Sequence, residues 1–450
     1  MISCSAKNRT RPCAIHLDLK GLPPTPQRLI SLLDLIVACG YNAILVEWED
    51  TFPWKCDLRY RGATFYNQDV IKRFVDRCGE LEIELIPLVQ SIGHLEMALR
   101  LDDNEHLREQ VDCFDCLNPL APGAHQLVEA MVDDVLELMP DVKRFHLGGD
   151  EAWLFGSHES TRLYAQQNGK DRLYLYHLDP ILDKLIDRGI RPLLWHDMMI
   201  QWDDAALQQL SQKADLAVWG YHGHPDYTQD HLYHTRVIER FSNLNVPMWA
   251  CGAYKGADGM SFDRATFESR RENTLAWLDL DARFDFAGFI ATGWSRYSTN
   301  RVQTSPLDGN QDVIVLLGQL FSGQSNPTLQ QVNQLLLQAR ELDGFQKCSD
   351  ILNLMQRRRK IAWEQVQEIH EMLTFMQYDK NRNDPWLVEQ SCKKLANAIE
   401  DVEELSDELY NVFSGRVALC WMQEYVHERI APLKEQLAVF QSIGSKVPVY

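Results

Sequence analysis

Residues 144–151 read Arg-Phe-His-Leu-Gly-Gly-Asp-Glu, a short apolar run that ends in two glycines and two carboxylates. Its length and composition are those of a buried β-strand. Segments with apolar residues at spacings of three and four, typical of amphipathic helices, lie on either side at 124–138 and 173–188. A strand between two helices is the unit of a parallel sheet. The stretch therefore predicts an α/β fold with polar residues at the carboxyl end of a strand.

Seven further runs of this kind occur in the first 300 residues, and helical patterns separate most of them. The eight predicted strands are 14–19, 43–48, 83–89, 144–148, 192–196, 216–220, 246–251 and 286–292. Eight such units favour a (β/α)8 TIM barrel. An open doubly wound sheet is the alternative, but it usually has five or six strands and a G-x-G-x-x-G motif after the first one. No such motif follows the first run here.

The sequence pattern changes near residue 311, where strand signals stop and long amphipathic helices begin. We expect an N-terminal tail at 1–12, a catalytic barrel at 13–310 and a C-terminal helical region at 311–450. Within the last region an apolar stripe at spacings of 4, 3, 3 and 4 predicts a packed helix face. It consists of Leu395, Ile399, Val402, Leu405 and Leu409. We expect this region to pack on the barrel or on a second copy of the chain, which would form a homodimer.

Composition narrows the class of protein. Hydrophobic residues make up 45% and charged residues 24%, so the chain has the material for a globular core. The formal net charge of −19 disfavours binding to nucleic acid or to an anionic membrane surface. No uncharged apolar stretch reaches the roughly 18 residues of a membrane span. Residues 1–12 lack the apolar segment of a secretory signal, and the eleven cysteines are scattered, so we expect a cytoplasmic protein.

Carboxylates and aromatic residues dominate the carboxyl ends of the predicted strands, where a barrel builds its active site. The residues concerned include Asp18, Lys20, Glu49, His94, Asp150, Glu151, Trp195, Asp197, Trp219, Tyr221 and Trp294. Aromatic rings stack on the C–H faces of sugars and carboxylates accept hydrogen bonds from hydroxyls, so this combination favours a carbohydrate site. The glycines before Asp150 and Glu151 allow a turn that brings both adjacent carboxylates to one pocket.

The H-x-G-x-D-E pattern at 146–151 resembles the signature of family 20 glycoside hydrolases, the β-N-acetylhexosaminidases. Five other segments resemble the hexosaminidase D-like branch of that family. They are HLDLKGLPP (16–24), EWEDTFP (47–53), IPLVQSIGHLE (86–96), YKGA (254–257) and TGWSRY (292–297). The resemblance covers roughly residues 12–310. It implies a TIM-barrel exo-hydrolase that retains anomeric configuration and releases terminal β-linked N-acetylglucosamine or N-acetylgalactosamine from glycans.

The resemblance also implies substrate-assisted catalysis, in which the substrate's acetamido oxygen is the nucleophile and an oxazolinium ion forms. Glu151 then protonates the leaving oxygen and later deprotonates water. Asp150 stays ionised, accepts a hydrogen bond from the acetamido N–H and stabilises the oxazolinium, while Tyr221 donates to the acetamido oxygen. The implied walls of the sugar site are Trp195, Trp219 and Trp294, and the implied contacts to sugar hydroxyls are Lys20, Glu49 and His94. No metal ion and no cofactor are expected.

The chain departs from this pattern at two positions. Gly220 stands in Trp219-Gly220-Tyr221 where the branch has Trp-Asp-Tyr. Either Asp197 or His222 replaces the missing acceptor, or a contact to a sugar hydroxyl is lost, which would change substrate preference more than reaction type. Lys20 stands where other branches use arginine, and its ammonium is a point charge rather than a fork.

Two other classes of function remain open from the residues alone. Histidines at several strand ends, among them His16, His94 and His196, would suit a metal-dependent TIM-barrel hydrolase, although no H-x-H pair occurs there. A non-catalytic glycan-binding barrel is the other alternative, because a fold and a pocket do not by themselves establish catalysis. The adjacent Asp150 and Glu151 favour the hydrolase.

Overall fold

The computed structural model describes residues 11–229, 232–259, 262–324, 326–379 and 384–444 of the 450-residue chain. Residues 1–10 of the predicted N-terminal tail lie outside these ranges. Eight parallel strands form a closed barrel in chain order, which confirms the predicted TIM-barrel fold. The strands are β1 (Cys13–Asp18), β2 (Ala43–Glu47), β3 (Glu84–Leu88), β4 (Arg144–His146), β5 (Arg191–Trp195), β6 (Asp215–Trp219), β7 (Met248–Lys255) and β8 (Gly288–Gly293).

Most strands begin and end within two residues of the predicted limits, and β7 differs most. It continues to Lys255, four residues beyond the expected end, because the small residues of 250–253 stay paired with β8. β1 pairs with β8 from Cys13 opposite Phe289, and this pairing closes the barrel. Trp195 and Trp249 are fully buried inside it together with aliphatic and small side chains. The interior is therefore packed, and space for a ligand lies only at its mouth.

Helices alternate with the strands and continue beyond them. They are α1 (Pro26–Cys39), α2 (Gln68–Glu80), α3 (Glu96–Leu99), α4 (Ala124–Leu138), α5 (Glu159–Asn168), α6 (Lys170–Asp187), α7 (Asp204–Lys213), α8 (Thr235–Asn243), α9 (Phe267–Phe284), α10 (Gln311–Phe321), α11 (Leu329–Gln338), α12 (Leu342–Tyr378), α13 (Pro385–Glu403), α14 (Ser406–Val412) and α15 (Leu419–Gly444). Every residue of α10 is buried, because this helix packs between α1 and α9 against the strands. α10 thus belongs to the same hydrophobic core as the barrel, although it follows residue 310.

The later helices build a second hydrophobic core of their own. All five residues of the predicted apolar stripe are buried in it, although the stripe passes from α13 into α14. Asp263, in the loop after β7, joins this region to the barrel. Its carboxylate accepts hydrogen bonds from Arg359 of α12 at 2.6 Å and from Arg429 of α15 at 2.8 Å. The helical region thus packs beside the loops of the barrel mouth.

No helix in the described ranges combines the length and the hydropathy needed to cross a bilayer.

Candidate active site

A cavity of about 600 Å³ opens at the carboxyl ends of the strands. Six of the ten site residues predicted from the sequence contribute to its wall. They are His94, Asp150, Glu151, Trp219, Tyr221 and Trp294. The cavity therefore brings together the carboxylate pair, a histidine and an aromatic wall.

The turn after β4 places both carboxylates in this cavity. The backbone leaves the strand at His146 and takes positive φ angles at Gly148 (57°), Gly149 (82°) and Glu151 (47°). The hydroxyl of Tyr174 donates to the carbonyl of Gly149 at 3.0 Å, and a Cβ at this glycine would lie 2.1 Å from that hydroxyl. As the two glycines predict, adjacent side chains that a regular strand would direct to opposite faces share one pocket.

Asp197 supports this turn from behind the cavity wall. Its Oδ2 accepts a hydrogen bond from the backbone N–H of Glu151 at 2.9 Å, and its Oδ1 accepts from Trp219 Nε1 at 3.3 Å. Asp197 is buried. It therefore positions Glu151 and Trp219, and a sugar contact by this residue is not supported.

His94 lies between the two carboxylates. Its Nε2 is 3.3 Å from Glu151 Oε2 and 3.7 Å from Asp150 Oδ2. Burial opposes protonation of the ring, but Asp150, Glu151 and Glu96 outweigh it and raise the pKa of His94 to about 10. The residue holds a φ of 55°, a strained conformation of the kind that clusters at functional sites. A protonated His94 therefore partly neutralises the pair.

The Asp150 carboxyl is the more buried member of the pair, with a side chain 8% exposed against 38% for Glu151. Burial and the carboxylates of Asp197 and Glu151 outweigh His94 and raise the pKa of Asp150 to about 8. The surroundings of Asp150 in the ligand-free site therefore oppose its ionised form, an effect of burial that the sequence does not show.

Three aromatic rings form the opposite wall. Trp219 and Tyr221 stack with ring centroids 5.6 Å apart and an interplanar angle of 21°, and Tyr221 lies 6.5 Å from Trp294. Trp195 was expected beside them, but it is fully buried below Trp294, with centroids 5.8 Å apart. Trp195 therefore packs beneath Trp294 and does not form part of the exposed cavity wall.

Gly220 has no room for the acceptor that the branch carries at this position. A Cβ there would lie 2.1 to 2.5 Å from ring atoms of Tyr233. His222, a predicted substitute, is exposed outside the cavity, where Arg270 Nη2 is 3.3 Å from its Nδ1. An aromatic ring thus fills the space of the missing carboxylate.

Lys20 and Glu49 do not reach the cavity wall. The Nζ of Lys20 is 2.8 Å from Glu47 Oε2, 3.0 Å from Asp18 Oδ1 and 3.9 Å from Glu49 Oε2. Glu49 also accepts a hydrogen bond from the hydroxyl of Thr299. Both side chains are buried. The sugar contacts predicted for them are therefore not supported by this arrangement, since their polar atoms already have protein partners.

Burial and charge together set the protonation of this group. Burial opposes the ammonium, but the three carboxylates outweigh it and raise the pKa of Lys20. Burial likewise opposes ionisation of Glu47, but Lys20 and His16 lower its pKa. Burial raises the pKa of Glu49 well above its usual range. The Lys20 ammonium thus compensates the buried charge of its neighbours, and burial opposes ionisation of Glu49.

Several residues of the cavity wall were not among the predicted site residues, notably Glu96, Asp115, Trp153, Tyr297 and Arg301. Trp153 is 66% exposed and follows Glu151 by two residues, so its position in the sequence indicates a place near the carboxylates. No sequence feature indicates a role for Arg301, because it lies in the loop after β8 beyond any strand end. In the described ranges no group of three or more histidine, cysteine or acidic side chains has the geometry to hold a metal ion.

Comparison with known proteins places this site in a family. The model of the glycosyl hydrolase family 20 catalytic domain matches residues 47–238. Hexosaminidase D of Homo sapiens is 36% identical over 297 residues, which are 63% of this chain and 60% of that protein. Hexosaminidase D of Bos taurus is 34% identical over 294 residues, which are 63% of this chain and 84% of that protein.

Solved structures agree on the fold. A chitobiase from Flavobacterium johnsoniae is 14% identical with a TM-score of 0.57, over 96% of this chain and 71% of that one. A β-N-acetylhexosaminidase from Bacteroides fragilis is 13% identical with a TM-score of 0.52, over 74% of this chain and 70% of that one. The chain belongs to glycosyl hydrolase family 20. Its similarity to the hexosaminidase D proteins confirms the resemblance seen in its motifs.

Proposed function

We propose that this protein is an exo-acting, retaining β-N-acetylhexosaminidase that uses the substrate's acetamido group as nucleophile. The observation that carries the proposal is the pair Asp150 and Glu151, adjacent in sequence, in one cavity opposite an aromatic wall. Family membership and the names of the relatives support the class of substrate, which is glycans with a terminal N-acetylhexosamine. A cavity closed below by Trp195 fits release of a terminal sugar.

In the first step the acetamido oxygen attacks C1 of the terminal sugar, and the bond from C1 to the leaving oxygen breaks. Glu151 transfers its proton to that oxygen. Asp150 accepts a hydrogen bond from the acetamido N–H, which orients the nucleophile, and the carboxylate stabilises the positive charge that develops on the oxazolinium. Tyr221 donates its hydroxyl to the acetamido oxygen before attack.

In the second step Glu151 removes a proton from water, and the water oxygen attacks C1 and opens the oxazolinium ring. Two inversions at C1 return the original configuration. His94 contacts both carboxylates and holds them in the cavity throughout. Asp150 must be ionised to accept the N–H and to balance the cation, so we infer that substrate binding lowers its raised pKa.

A panel of aryl β-glycosides tests the proposal. The purified protein should hydrolyse aryl β-N-acetylhexosaminides and leave the matching β-glucoside and β-galactoside nearly untouched, because these lack the nucleophile. Equal rates with and without the acetamido group would refute the proposal.

A further inference from the structure

A second groove lies beside the active-site cavity, between the loop after β8 and the helices α12 and α15. Its volume is about 850 Å³. Arg301 contributes to the walls of both the cavity and this groove. We call this space the outer groove. The cavity and the outer groove therefore adjoin at Arg301.

The outer groove differs from the cavity in charge. Four basic residues line it, namely Arg301, Arg359, Lys360 and Arg429, against the single carboxylate of Glu428. Asp263 behind the wall pairs with Arg359 and Arg429, and Arg429 Nη1 also lies 3.7 Å from Glu428 Oε2. This basic surface is a local exception in a chain with a net charge of −19.

Arg301 is the basic residue best placed to meet a ligand. Within the described ranges its guanidinium makes no ion pair, hydrogen bond or ring contact. The neighbouring Arg296, by contrast, donates to Glu424 at 2.5 Å and lies over the ring of Trp421. An arginine without a protein partner retains its full capacity to bind a carboxylate or sulfate through two hydrogen bonds.

Two aromatic rings extend the outer groove beyond this cation. Trp363 and Phe262 are each 38% exposed and line the same space. Such rings bind the C–H faces of sugars, and Lys360 beside them is 78% exposed, with its Nζ 3.8 Å from Glu364. The outer groove thus combines sugar-binding surfaces with positive charge.

We propose that the leaving group of the natural substrate is an acidic glycan, whose first sugar binds Arg301 through a carboxylate or sulfate and whose next sugars lie on Trp363. The inference rests on the proposed function, because it assigns the leaving-group side of that same site. Asp115 and Glu96 at the cavity wall oppose an anion beside them. The charge on the leaving group must therefore lie toward Arg301 and away from Asp115.

Three disaccharides test the proposal. Each carries the same β-N-acetylhexosaminyl linkage, to glucose, to glucuronic acid or to glucose 6-sulfate. The native protein should cleave at least one acidic disaccharide with a kcat/KM roughly 10- to 100-fold above that of the glucose compound, the scale of one charge-assisted contact. The better acidic substrate identifies carboxylate or sulfate as the natural group. The preference should shrink as salt is added, because the contact is near the surface.

Arg301→Gln should bring the ratio of acidic to neutral substrate close to one. Because the ratio is formed within each variant, any loss of folded protein cancels. Lys347→Gln is the matched control, since this lysine is 65% exposed on α12 and lies outside the groove lining. Trp363→Ala should remove the gain in kcat/KM from a longer acidic oligosaccharide over the disaccharide.

The outcomes separate the two proposals. If the native protein cleaves aryl β-N-acetylhexosaminides but treats the three disaccharides alike, or if the acidic preference survives Arg301→Gln, the acidic leaving group is refuted and the hydrolase remains. If no β-N-acetylhexosaminide is cleaved, the proposed function itself fails.

Discussion

Two groups of charged side chains lie at the carboxyl ends of the barrel strands, and their surroundings differ. The β4 group consists of His94, Asp150, Glu151 and Asp197, and two of its carboxylates line an open cavity of about 600 Å³. The β2 group consists of Asp18, Lys20, Glu47 and Glu49. The space beside Glu47 and Glu49 is only about 20 Å³, and the Lys20 ammonium contacts three carboxylates within 4 Å.

The difference shows that a strand-end carboxylate becomes available for chemistry only when its charge is not already used within the protein. A buried ammonium that pairs with carboxylates compensates their loss of solvation, and breaking such a pair leaves an uncompensated charge. Asp150 and Glu151 have only His94 as a cationic contact within 4 Å in the described ranges. We therefore expect changes in the β4 group to affect rate and changes in the β2 group to affect stability.

Glu151→Gln should have the largest effect, which is on the rate of hydrolysis. Loss of the proton donor should slow hydrolysis of a natural disaccharide by roughly 10² to 10⁴, the usual contribution of general acid catalysis. Aryl leaving groups that need less protonation should lose less. Glu159→Gln, an exposed carboxylate eight residues along the chain, is the control. If Glu151→Gln keeps the native rate on disaccharides, another residue is the acid.

The second-largest effect should be a loss of stability caused by Lys20→Met in the β2 group. The substitution removes the ammonium that contacts Asp18 and Glu47, so the free energy of unfolding should fall by about 3 to 5 kcal/mol. Lys72→Met serves as control, because this exposed ion pair should contribute less than about 1 kcal/mol. Urea unfolding measures both. Unchanged stability with a large rise in KM would instead show that Lys20 binds the sugar, as the family resemblance implies.

Asp150→Asn should have an effect of about 10² on kcat, because the amide keeps the shape but loses the charge that stabilises the oxazolinium. Binding of the released sugar should largely persist, since the lost interaction grows toward the transition state. A thiazoline mimic of the cyclised intermediate should inhibit the native enzyme strongly and the variant weakly. Asp141→Asn, at an exposed position, is the control. An equal loss of product binding and kcat would argue against transition-state stabilisation by Asp150.

The smallest expected effect is on the pH dependence of binding. Burial raises the pKa of Asp150 to about 8, and a bound acetamido N–H favours the ionised carboxylate. Binding of free N-acetylhexosamine should therefore release protons near pH 8, and its affinity should rise a few-fold as pH increases through that value. Calorimetry in two buffers measures the release. Asp150→Asn should abolish this dependence, and a persistent dependence would assign the proton to another group.

The barrel was readable from the sequence because each strand is a short apolar run bounded by helical periodicity, and its closure follows from the number of strands. The pairing of Asp150 with Glu151 in one pocket was also readable, since Gly148 and Gly149 permit the turn. The predicted end of the barrel, residue 310, lies just before a helix that packs against the strands. α10 is buried on all faces because it packs between neighbours, but in the sequence it resembles the helices that follow.

The environment of each side chain could not be predicted from the sequence. Nothing in the sequence shows that Lys20 contacts Asp18 and Glu47 rather than sugar, or that the ring of Tyr233 fills the space beside Gly220. These contacts join residues far apart in the chain, and they decide which polar atoms remain for a ligand. Arg301 was missed for the same reason, because its place between two cavities depends on helices of the C-terminal region.

The central claim, that the substrate's acetamido group is the nucleophile beside Asp150, is tested most directly by weakening that group. Aryl β-glycosides with acetamido, monofluoro-, difluoro- and trifluoroacetamido groups differ little in size but progressively lose electron density at the carbonyl oxygen. The value of kcat/KM should fall steeply with each added fluorine. A rate independent of fluorination, together with a covalent sugar ester on Asp150 or Glu151, would contradict the claim and show an enzyme nucleophile instead.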